Sequence, residues 1–246
     1  MTRVKTFDPD AVLDAATDLF WRRGFADTGV QDLVDELGIS RSSLYATFGD
    51  KDQLFQMALA RYCTTEAGPR HELLTRDGSV RDALRQLLLG LAHAPEQHPD
   101  RRGCLIVNAA MERVPGDSAT TVAITDQLGR LEEALYSTVR RGQASGEIDR
   151  ARDARALARF LVCVVQGMRV LGKATADREA LLDTVDVALE AVAGVGTAER
   201  VAAEERAAPR EDAVRRPRRA DDKPAPELTD HLERRERRDS NPRPPA

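Results

Sequence analysis

The chain has 246 residues, 41% hydrophobic and 32% charged, with a formal net charge of −4, enough apolar material for one large soluble domain or two small ones. No run approaches the roughly 18 consecutive apolar residues of a spanning helix, and the start, MTRVKTFDPD, lacks a signal peptide's apolar core, so a cytoplasmic protein with no membrane partner is expected. Three scattered cysteines (Cys63, Cys104, Cys163) without a CxxC pair argue against a disulfide framework and a structural zinc, and seven Lys/Arg against ten Asp/Glu in residues 1–65 give no bulk electrostatic support for nucleic-acid binding.

Strand signals are nearly absent and helical spacing of apolar residues recurs throughout, which predicts an all-α protein of about nine helices. The first helix starts at Asp8 as N-cap with Pro9 at its first position, turns Val12, Ala16, Leu19 and Phe20 to one side, and stops at Gly24. A short helix follows with Val30, Leu33, Val34 and Leu37, closed by Gly38. Ser40 opens another carrying Leu44 and Phe48. Asp50, with Gln53 three residues on, forms a capping box for a fourth helix over about 51–65.

Longer helices are expected near 79–94, ended by Pro95; near 101–113, ended by Pro115; near 118–144, closed by Gly146; and over 151–173 and 177–193. The helix over 151–173 is apolar nearly all round, with Val162, Cys163 and Val165 beside Phe160 and Leu161, so it should be covered on several sides. From Thr197 the composition shifts: seven of the 12 prolines lie there among dense, balanced charge. A disordered tail over 196–246 is expected, and its cluster Arg215, Arg216, Arg218 and Arg219 is assigned no function.

Residues 28–55, TGVQDLVDELGISRSSLYATFGDKDQLF, place two short helices around the turn Leu37-Gly38-Ile39-Ser40. This is the pattern of a helix-turn-helix, whose second helix enters the major groove with its first residues against base edges. Arg41, Ser42, Ser43 and Thr47 are the exposed positions there; arginine can bind guanine through two hydrogen bonds, and hydroxyls can serve donor or acceptor edges. Phe20, Gly24-Phe25, Thr28, the LGIS turn and LYATFGDKDQLF closely resemble, in order and spacing, the DNA-binding segment of the TetR family of transcriptional regulators, over about residues 9–65. The resemblance implies that Thr28 and the first N–H groups of the second helix bind a phosphate, that Tyr45 and Lys51 touch the backbone, and that Arg41, Ser42, Ser43 and Thr47 read bases. Gly29 departs from the family in lacking a hydroxyl that would add a phosphate contact, and Leu33-Val34 is bulkier than the common pairing.

The domains expected are thus a helix-turn-helix unit over 1–50 and a helical effector-binding and dimerisation unit over 51–195, in which 51–65 connects the two and is the available lever. The resemblance implies a homodimer built on the helices over 151–173 and 177–193, a palindromic double-stranded DNA operator, and a small-molecule effector. Its pocket is sought among Leu87, Leu91, Met111, Leu131 and Phe160, since ligand pockets are mostly apolar. A metal site from His93, His98 and Cys104, or a redox response at Cys104 or Cys163, is the alternative. GCLIVNAAME at 103–112 resembles a subgroup of the family more loosely. No HExxH, GxSxG or glycine-rich phosphate loop is present, so neither catalytic residues, cofactor nor metal is assigned. The expected role is that of a repressor released by its effector, with an activator, or a thiol- or metal-responsive regulator of the same fold, as the alternative.

Overall fold

The computed structural model of the chain describes residues 7–97 and 100–193. Among the described residues there are nine helices and no strand: α1 (Pro9–Arg23), α2 (Val30–Leu37), α3 (Arg41–Phe48), α4 (Lys51–Thr75), α5 (Val80–Gln97), α6 (Leu105–Arg113), α7 (Ser118–Ser145), α8 (Ala154–Ala174) and α9 (Arg178–Ala193). None of them is long and apolar enough to cross a membrane. The segment over 196–246, with its arginine cluster, lies outside the described residues, as does His98.

The local caps form where their chemistry asks for them. The Asp8 carboxylate accepts from the Asp10 N–H at 3.0 Å, and Asp50 and Gln53 close a reciprocal capping box. Two helix ends differ from expectation. α4 does not end near residue 65 but continues through Pro69 to Thr75 and buries Leu74 at 1% exposure. Similarly, α5 runs through Pro95 to Gln97. Here the proline ring fills the space beside Gly172 of α8, where even a Cβ would lie 3.0 Å from Pro95 Cγ. In both places packing outweighs the lost backbone hydrogen bond that makes proline a local breaker. α6 starts later than predicted, at Leu105, because the chain first turns through Arg101 and Gly103 at positive φ.

Two apolar cores organise these helices. The first gathers α1 to α4 around Phe20, Phe25 and Phe55, with the Phe20–Phe55 and Phe25–Phe55 rings edge to face at 5.1 Å between centroids. It does not stop at residue 50: Cys104, Leu105, Ile106 and Ala109, at the start and in the middle of α6, and Ile124 of α7 belong to it. The second core is built by α5, α7, α8 and α9, with Leu84, Leu88, Leu135, Val139, Leu161 and Val185 at its centre. α4 serves both, its first half carrying Leu54 and Leu59 into one and its end carrying Leu74 into the other. Moving α4 or α6 therefore disturbs the N-terminal unit through close-packed contacts.

Candidate nucleic-acid interface

Gly38 ends α2 with φ 63° in the left-handed region, where its N–H closes on the Val34 carbonyl; a side chain at that φ would be strained. The chain reverses, Ile39 drops into the core, and Ser40 caps α3 by accepting the Ser43 N–H at 3.1 Å. Burial of Leu44 and Phe48 then fixes the rotation of α3. Its opposite face presents Arg41, Ser42 and Tyr45 to solvent, with Ser43 and Thr47 half-buried at the edges. Arg41 makes no ion pair among the described residues, so its guanidinium is available at the helix start. The hydroxyls of Ser42 and Ser43 each lie 2.9 Å from Ser40 Oγ, a short hydroxyl network at the same end.

The sites expected to touch the DNA backbone fall around this face. Tyr45 is 44% exposed. Lys51, the first residue of α4, holds its Nζ 4.1 Å from the centre of the Phe25 ring, a cation–π contact that sets its direction. Thr28 sits differently: it is wholly buried, and its hydroxyl donates to the Gly24 carbonyl at 2.6 Å, bracing the α1–α2 turn. Asp32, one turn into α2, receives the Gly29 N–H at 2.7 Å and pairs with Arg23 at 3.2 Å.

The rear of this unit is tied to α6. The Glu112 carboxylate accepts the backbone N–H groups of Phe25, at 2.9 Å, and of Ala26. Arg113 stacks its guanidinium 3.6 Å from the centre of Phe25 and donates to Asp52 at 2.6 Å and to Asp117. Upstream, Trp21 Nε1 donates to the Gly103 carbonyl at 3.0 Å and Arg102 pairs with Asp18. These links were not legible locally, since partners such as Glu112 and Phe25 are 87 residues apart in the chain.

Behind the interface lie two cavities on either side of Arg70 and Arg169. One, of about 330 Å³, is lined by Trp21, Leu87, Leu91 and Met168; the other, of about 540 Å³, opens between α4, α7 and α8 beside Leu74, Leu131, Gln166 and Arg169. The five apolar residues expected to share a pocket are thus dispersed. Leu87 and Leu91 line the first cavity and Leu131 the second, whereas Met111 is 83% exposed in a surface groove and Phe160 is 39% exposed on α8. Gln166 and Arg169 went unmarked in sequence, although polar side chains interrupting an otherwise apolar helix are a usable signal.

Of the groups considered for metal or thiol chemistry, His93 has both ring nitrogens engaged, Nδ1 with the Leu89 carbonyl at 2.8 Å and Nε2 with Arg178 at 3.2 Å. Cys104 is buried, with Arg169 Nη1 3.2 Å from its sulfur. Burial pushes the Cys63 thiol up to about 11, and Cys163 is exposed. Among the described residues no group of three or more metal-binding side chains comes together.

The same two-part organisation appears in known proteins. Residues 12–58 match the sequence profile described as bacterial regulatory proteins, tetR family, and residues 80–188 match the tetracyclin repressor-like C-terminal domain. The chain is 35% identical over 190 residues to the uncharacterized HTH-type transcriptional regulator YezE of Bacillus subtilis (strain 168), covering 77% of this chain and 98% of that one. It is 34% identical over 191 residues to the HTH-type transcriptional repressor ComR of Escherichia coli (strain K12), covering 76% and 90% respectively. A solved structure of a cysteine mutant of the TetR family transcriptional regulator CifR, complexed with a 26 bp double-strand operator DNA, superposes with a TM-score of 0.69 at 33% identity, covering 77% of this chain and 99% of that one.

Proposed function

The chain belongs to the TetR family of bacterial regulatory proteins, and from that premise we propose that it is a homodimeric repressor that grips a palindromic operator through α3 and lets go when a small molecule enters the helices behind it. It is a DNA-binding transcriptional regulator. The observation that carries the reading is the outward face of α3, where Arg41, Ser42 and Tyr45 are exposed directly after the Gly38 turn while Leu44 and Phe48 anchor the helix from below. In this reading Arg41, Ser42, Ser43 and Thr47 read base edges, and Tyr45, Lys51 and the first N–H groups of α2 hold phosphates. Thr28 then acts from beneath, fixing the turn that aims those N–H groups. A protein acting on the chromosome works in the cytoplasm.

The dimer reading is supported by an apolar stripe on the outer face of α8. Phe160 (39% exposed), Cys163, Val170 (48%) and Leu171 (46%) line up there, and Val187 of α9 is 63% exposed. Exposed apolar side chains on one helix face suit a protein-protein surface. Pairing two copies across a two-fold axis would set the two recognition helices about 34–36 Å apart, one turn of DNA.

The test is a mobility-shift titration of the purified chain against DNA from upstream of its own gene, followed by transcription of that template with and without the protein. Retarded migration that resists nonspecific competitor, together with reduced transcript, supports the repressor. Increased transcript would make it an activator, and the absence of a specific shift on any native promoter fragment would refute the reading.

A further inference from the structure

The cleft of about 540 Å³ between α4, α7 and α8 is apolar over most of its wall, from Leu74, Ile106 and Leu131, but one side is polar in an unusual way. Gln166 Nε2 is buried with no hydrogen-bond partner among the described residues. A buried donor without an acceptor is costly and rare in a native fold. The amide is oriented with its Oε1 3.5 Å from Arg169 Nη1, which keeps the NH2 group away from the guanidinium. An acceptor entering from the cleft would satisfy Nε2.

The charge beside that donor has no carboxylate partner among the described residues. Among them Arg169 reaches Cys104 Sγ at 3.2 Å and Gln166 Oε1, and neither Arg169 nor Arg130 makes an ion pair. Glu133, the carboxylate on the cleft wall, is held by Arg155 at 2.8 Å. The positive field extends beyond the cleft: Arg130, Arg169 and Arg70 act on the neighbouring Cys63 thiol against the effect of its burial.

We propose that this cleft binds an amphipathic organic anion, with its acidic group on Arg169, Arg130 and the Gln166 amide and its hydrocarbon part along Leu74, Ile106 and Leu131. Charge-assisted bonds to a guanidinium, completed by an amide donor, suit a carboxylate. A cation would meet two arginines, and a neutral ligand would leave both guanidinium charges unpaired. The site is placed to be read out: Arg169 touches Cys104, the residue from which α6 starts, and the last turn of α6 carries Glu112 and Arg113 onto the helix-turn-helix. This part rests on the proposed role as an effector-released regulator.

The experiment compares decanoate, 1-decanol and decylammonium on the full-length protein by thermal shift and calorimetry, and then on the protein–operator complex. Decanoate should stabilise the protein at concentrations where the alcohol and the cation do not. Arg169→Gln and the near-isosteric Gln166→Glu should each weaken decanoate binding about tenfold or more, whereas Arg169→Lys should retain part of it. Should Arg169→Gln fail to fold, Arg130→Gln and Gln166→Glu carry the same comparison. Equal stabilisation by all three probes, binding of the cation in preference, no binding of decanoate, or decanoate affinity unchanged in the folded variants would overturn the anion site. Operator release is read separately. Arg169-dependent capture of decanoate without any change in operator affinity upholds the anion site and removes its regulatory role, and failure of the unliganded protein to bind operator overturns only the regulator reading.

Discussion

Glu112 at the end of α6 accepts the backbone N–H of Phe25 at 2.9 Å, so a carboxylate of the C-terminal half holds the turn that leads into α2. From sequence, α4 is the lever because it is continuous with α3 through Gly49 and Asp50. The fold adds α6 as a second connection, fixed by hydrogen bonds and by the Arg113–Phe25 stack. Glu112→Ala removes a charged acceptor from two backbone donors, a loss of about 1.5–3 kcal/mol per charge-assisted bond at most, less here because the site is solvent-exposed. The expected outcome is a modestly lower melting temperature and a reduced effect of effector on operator affinity. Because linkage is reciprocal, the effect of operator on effector affinity should shrink equally. Calorimetric titrations of each ligand in the presence of the other measure both, and undiminished coupling would show that α6 is not part of the connection.

Arg41→Ala should weaken specific operator binding by about 1–3 kcal/mol while leaving helicity intact, because Arg41 is exposed and the cap of α3 lies on Ser40. Competition against nonspecific DNA separates the roles. A base contact loses specificity, whereas a phosphate contact lowers both affinities together.

Phe160→Glu places a charge in the apolar stripe of α8, where Phe160 is 39% exposed and contributes little to the core of a single subunit. Sedimentation velocity should show monomers with unchanged helicity. Cys163, exposed on the same face, should then react faster with maleimide than in the parent protein. Cys63, whose thiol is pushed up to about 11 by burial, should stay unreactive near neutral pH in both. A dimer that persists in this variant would move the interface off α8.

Acid should loosen the Asp52–Arg113–Asp117 cluster. The hydrogen bond from Arg113, joined by the Thr120 N–H, lowers the Asp117 carboxyl from 3.8 to about 2. In the unfolded chain Asp117 takes up its proton around its ordinary value, and in the folded chain only near 2. Its contribution is therefore complete above about pH 4 and disappears as pH falls from about 4 to 2. Unfolding followed by circular dichroism at constant ionic strength should show a shallower loss of stability over that interval in Asp117→Asn than in the parent protein. An identical acid limb in both would mean that the ion pair adds nothing to the folded state.

The features legible in the sequence are local. The caps at Asp8, Ser40 and Asp50 and the left-handed end at Gly38 were readable because each depends on one side chain or one φ angle and the few backbone groups beside it. Apolar periodicity likewise established that α1 to α9 exist, and the helix-turn-helix with its outward residues Arg41 and Ser42 followed from the short spacing around Gly38. Tertiary structure alone decided the rest. Pro95 reads as a stop but lies inside a helix, and α4 runs past its expected end near residue 65 through Pro69, because the fit of Pro95 to Gly172 and burial of Leu74 outweigh a single backbone bond. Apolarity could not sort Leu87, Phe160 and Met111, which the fold leaves 4%, 39% and 83% exposed, since core, subunit face and open surface all accept such residues. The meetings of Glu112 with Phe25 and of Arg169 with Cys104 span 87 and 65 residues, and no local preference encodes a contact that exists only after distant helices have packed.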